Sequence, residues 1–167
     1  MKPWVHAYWN YFLFHRSPGV WLVVAGSVAP DVSSMIAFFW LGFTRGRWGW
    51  ESVWQAWSIP WVYFSGFFTH SAVIWGAFAL ASHYLWKRAW PFAIGWGVHL
   101  LEDGLTHVTD AYPFFWPFSW RLFPSSISYW ETSHHSREYA IWNSVAVALS
   151  LIYLGYSWYR RRKLRGS

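Results

Sequence analysis

Long apolar stretches separated by short polar or basic breaks organise this chain of 167 residues. Residues 4–15 are aromatic and too few to cross a bilayer, which takes about 20 helical residues. They predict a short N-terminal helix lying in the interface or leaning on the bundle. Residues 19–43 are apolar but interrupted by Pro30, whose missing N–H predicts a kinked first span. Further spans are read at about 60–86, 90–107 and 138–159, with loops at 44–59 and 108–137 and a basic tail at 160–167. The pattern predicts an all-α fold: one polytopic membrane domain over residues 1–167 with about four transmembrane helices.

Composition sharpens that picture. Charged residues make up 12% of the chain and hydrophobic ones 55%, where a soluble domain carries about 25% charged. Eighteen Trp and ten Tyr suit membrane–water boundaries, where a ring with one wet and one dry end is at home. With no cysteine, disulfides, thiolate zinc sites and cysteine nucleophiles are excluded. The first ten residues lack the cationic stretch, apolar core and small-residue cleavage site of a signal peptide, so none is predicted.

Net charge is +6, and Arg160, Arg161, Arg162, Lys163 and Arg165 supply much of it. This run directly follows an apolar segment. It reads as an anchor beside acidic headgroups, not as a nucleic-acid surface. With four spans the termini share a side, which then holds Lys2, Arg16, Lys87, Arg88 and the five tail cations. Arg45, Arg47, Arg121 and Arg137 fall opposite, so both termini are expected in the cytoplasm.

Chemistry concentrates at His99, Asp103 and His107, spaced four apart within an apolar segment. Such spacing aligns side chains along one helix stripe. Imidazole and carboxylate are ligand types that divalent metals take from protein; the alternative is a polar network that holds helices together within the membrane. Ionisable groups inside a membrane are costly enough to mark function. Each four-residue step turns by about 40°, so His99 and His107 would diverge by about 80° on a regular helix. Glu102 points about 100° away from Asp103, toward an Arg partner or a role as base.

Three further groups complete the picture. Asp31 follows Pro30, as a ligand or as a cap to the helix after the break. His70, in Thr69-His70-Ser71, is a ligand or a hydrogen-bonded core residue. The stretch Trp130–Glu138 holds His134, His135 and Arg137; it either returns over the site or is an ordinary polar loop. His6, His15 and His83 stand alone, and His15 and His83 read as structural. Phosphate-loop, His-Glu-x-x-His and Gly-x-Ser-x-Gly motifs are missing from the sequence.

In order along the chain, His6, Pro30-Asp31, Thr69-His70-Ser71, Gly95 through His99 to Asp103, and Phe115-Trp116-Pro117 resemble the marks of one family. It comprises small bacterial and archaeal membrane-bound metal-dependent hydrolases, including the LexA-regulated inner-membrane type. The resemblance covers about two-thirds of the chain. It departs at Ser33 and Ser65, where family members commonly carry a second Asp and a further His. It implies a metal site in an inner (cytoplasmic) membrane.

Together these readings predict a membrane-embedded, metal-dependent hydrolase-like protein acting on a lipid or a lipid-linked phosphate or ester. Asp31, His70, His99 and Asp103 would hold one or two divalent ions, zinc before Mn or Mg for this mixed N/O set. Glu102, His107 or His134 would handle protons, and Arg137 would contact a substrate phosphate. The alternative is a non-catalytic accessory subunit of a larger membrane complex, with partner transmembrane subunits and a decayed metal site. There, a buried His would ligate a haem or chlorophyll-type pigment.

Overall fold

A computed structural model describes residues 2–46 and 48–165; Met1, Arg47, Gly166 and Ser167 lie outside the described residues. The described residues form helices and no strand: α1 (Pro3–Phe14), α2 (Val20–Val28), α3 (Val32–Arg45), α4 (Trp50–Trp57), α5 (Pro60–Thr69), α6 (Ala72–Tyr84), α7 (Trp90–Thr106) and α8 (Ser136–Arg165). Short 3-10 turns cover Ala29–Asp31, Lys87–Ala89 and Thr132–His134. Two stretches, Val20–Arg45 and Ser136–Leu164, are long and apolar enough to cross a membrane. Helices α5 and α6, bent by 56°, make a third if they count as one span. Helix α7 has 17 residues, about 25 Å at 1.5 Å per residue, somewhat short of a hydrocarbon core of about 30 Å.

Local chemistry sets the breaks. The first span bends where Pro30 denies a helical hydrogen bond, and the 3-10 turn there places Asp31 at the head of α3. The Pro30 carbonyl accepts the Thr69 hydroxyl at 3.0 Å. A single helix over 60–86 is not what forms. Ser71 takes an extended backbone, and its hydroxyl caps α6 by accepting from Val73 N and Ile74 N. The span therefore breaks beside His70. The 44–59 loop contains α4, and α8 carries on into the basic tail.

Packing centres on α2 against α7. A Cβ at Gly26 would lie 2.0 Å from the Phe92 carbonyl oxygen, and one at Gly95 would lie 1.8 Å from that of Val23. The two backbones approach as only glycine permits. Helix α8 instead shows Trp142, Leu149 and Ile152 on its exterior, an apolar area expected to face lipid.

Of the two placements expected for the N-terminal helix, in the interface or leaning on the bundle, the second is the one seen. Helix α1 runs along the bundle with His6 and Asn10 fully buried, because those polar side chains find partners inside. At its start, Lys2 sits 5.8 Å from the Trp50 ring, which meets Trp130. Past its end, Arg16 donates to Tyr153 of α8 at 2.7 Å, near Arg160 and Arg161. Lys2 and the start of the basic tail thus lie at opposite ends of the bundle.

Candidate metal centre

Asp103 lies at the centre of a buried group drawn from four parts of the chain. One carboxylate oxygen is 3.1 Å from His6 Nε2 and 3.1 Å from His107 Nε2. The other is 3.1 Å from His99 Nε2 and 3.4 Å from His70 Nε2. Asp31 joins through Oδ1, 3.7 Å from His70 Nε2. The ligand atoms of His70, His99 and Asp103 lie within 4.8 Å of one another, as do those of His6, Asp31 and His99.

The outward-facing imidazole nitrogens are tied in a way that fixes the inner ones. His99 Nδ1–H donates to the Ser27 carbonyl at 2.8 Å, and His70 Nδ1–H donates to the Gly66 carbonyl at 3.0 Å. A carbonyl only accepts, so in the neutral ring each Nε2 is left with a lone pair. Those two Nε2 atoms are 3.1 Å apart and face Asp103. His6 Nδ1 meets Glu102 at 2.5 Å, and His107 Nδ1 meets Asp110 at 2.9 Å. Carboxylate or carbonyl partners behind inward-facing imidazoles are the usual support of a metal site. His6 Nε2 and Asp31 Oδ2 are also buried without a hydrogen-bond partner. This donor set could hold zinc or a similar divalent ion.

The 108–135 connection closes one side. Tyr112 stacks on His70 with ring centres 4.0 Å apart. Trp130 Nε1 donates to Asp110 at 3.1 Å, and Tyr129 N donates to the Thr106 carbonyl at 3.1 Å. Burial alone raises the Asp110 carboxyl, but His107 and Trp130 outweigh it and hold the group below the ordinary carboxylate range. Burial, then Asp31, pushes the Tyr112 hydroxyl well up; burial, then Asp110, does the same to Tyr129. Both hydroxyls are therefore proton-bearing donors at neutral pH.

Among the residues singled out from sequence, Asp31, His70, His99, Asp103 and His107 converge. The expected divergence of His99 and His107 is corrected, because α7 ends at Thr106. His107 is extended (φ −111°, ψ 130°), which returns its ring to Asp103. Glu102 meets His6 Nδ1 at 2.5 Å, and among the described residues its ion-pair partner is that imidazole. His134 stays outside, its side chain 39% exposed and 3.9 Å from Glu131. Arg137 is exposed at the start of α8.

His6 and Asp110 were missed as centre residues by local reasoning. His6 stands 93 residues from His99 with no spacing to link them, although its place in the family resemblance hinted at it. Asp110, three residues after His107, carried a weak signal that the loop assignment concealed. No protein-family model, curated protein or solved structure matches this chain.

Proposed function

We propose that the protein is a membrane-embedded, metal-dependent hydrolase acting on a lipid or a lipid-linked phosphate or ester. The observation that carries this reading is the pair of facing Nε2 lone pairs on His70 and His99, set against Asp103 and with both Nδ1 positions committed to carbonyls. Acceptors so close repel one another unless a cation lies between them. His70, His99, Asp103 and Asp31 would hold it, with His6 and His107 on the far oxygen of Asp103. A divalent ion would supply Lewis acidity and lower the pKa of a bound water to about 7. Around it, Asp110 and Glu102 orient imidazoles, while the Tyr112 ring covers His70.

The ordered motifs shared with the inner-membrane hydrolases favour the same reading. About four crossings follow if α7 counts as a short span and α5–α6 as a broken one. Arg16, Lys87, Arg88, Arg160, Arg161, Arg162 and Lys163 mark one end of the bundle against Lys2, Arg45, Arg121 and Arg137 at the other. That bias favours a cytoplasmic tail and a centre nearer the outer face.

Metal analysis of detergent-purified protein tests this function. Near-stoichiometric divalent metal is expected, and it should vanish in His99→Ala and Asp103→Ala variants that still purify as folded protein. Metal-free protein from a metal-replete preparation overturns the proposal. A visible tetrapyrrole band in the same sample would support the pigment-binding subunit instead.

A further inference from the structure

Two cavities flank the centre. The larger, about 740 Å³, lies on α7 between Trp75 and Phe115 and presents almost only hydrocarbon and aromatic carbon. Nothing there selects an occupant over ordinary bilayer chains. The second, about 310 Å³, lies between α3 and α4 and differs in kind. Its body is apolar, from Met35, Phe38, Val53 and Trp57, yet Asp31 and Tyr129 line it too. It therefore reaches the centre from the side, and its volume falls at the lower end of the range for ligand sites, about 300–1,000 Å³.

Its mouth carries a cation. Lys2 lines the cavity, and its ammonium sits 5.5 Å from the Trp4 ring and 5.8 Å from the Trp50 ring. Cation–π contact of this kind steers a flexible lysine without neutralising it. Trp4 is 65% exposed and Trp50 47% exposed, so the mouth bears the amphipathic rings that settle at headgroup depth.

We infer that this cavity holds one hydrocarbon chain of an anionic lipid, with its phosphate between Lys2 and the Asp31 side of the centre. The assignment rests on the metal-site reading for what the phosphate meets inside, but Lys2 and the apolar walls act without it. An anion suits the lysine, a chain suits α3 and α4, and the bilayer delivers both at this depth. Lys2 and Val53 become specificity residues, one for charge and one for chain.

Calorimetric titration of the full-length protein in a maltoside detergent, with inorganic phosphate, butyl phosphate and octyl phosphate, tests the inference. Affinity should rise at least tenfold from phosphate to octyl phosphate. Lys2→Ala should weaken octyl phosphate about tenfold, the scale of one charge-assisted contact. Val53→Trp should occupy the part of the cavity assigned to the chain, bringing octyl phosphate down to the level of inorganic phosphate. Thermal unfolding and metal content, both expected to match the parent, show that these variants remain folded and loaded.

Equal affinity for all three ligands overturns the inference, because free phosphate alone would then be recognised. So does undiminished octyl phosphate binding in folded Val53→Trp. Chain-dependent, Lys2-dependent binding to protein that contains no metal would refute the metal-site reading and leave the chain site standing.

Discussion

Asp103 gives the centre its shape because its two oxygens address different pairs of imidazoles, His6 with His107 and His70 with His99. Its neighbours in support are as informative as the ligands. Asp110 fixes the His107 ring from behind at 2.9 Å, and loss of such partners typically costs 10–100-fold in metal affinity. Asp110→Asn is therefore expected to weaken metal retention by roughly that factor, read by competition against a chelator, with the fold preserved. Glu102→Gln should act similarly through His6. Acid should strip the centre, since ligands must be deprotonated to hold metal. Metal content after dialysis should fall as pH drops below the ordinary histidine value of about 6.5, and stay constant above it.

At the scale of elements, the breaks do the positioning. Pro30 interrupts the first span beside Asp31, Ser71 interrupts the second beside His70, and α7 ends just before His107. Asp31, His70 and His107 thus sit where regular helix gives way, which frees their direction from helical period, while His6, His99 and Asp103 lie within helices. The α2–α7 seam sets how close these pieces come. Gly95→Ala would drive a methyl against the Val23 carbonyl. That overpacking should destabilise by about 1–3 kcal/mol or more. A lowered thermal midpoint in detergent, together with reduced metal retention, is the expected result; an unchanged midpoint would show that the seam yields easily.

For the whole molecule, the arrangement of ends has a direct check because the chain has no cysteine. In intact cells, Lys2→Cys should react with a membrane-impermeant thiol reagent from outside, and Arg162→Cys only after permeabilisation. Apolar runs, their Pro and Gly breaks and the lack of strand patterning made the helical, membrane-seeking character legible from sequence. The four-residue spacing likewise made His99 and Asp103 legible, since helix period alone aligns them. Sequence could not order what distance in the chain conceals. That His6 of α1 reaches Glu102, that His107 turns back, and that Lys2 lies opposite the tail were decided only by tertiary packing. Helix period acts over neighbouring turns, whereas the meeting of distant side chains depends on close backbone approach between helices, which no local pattern encodes.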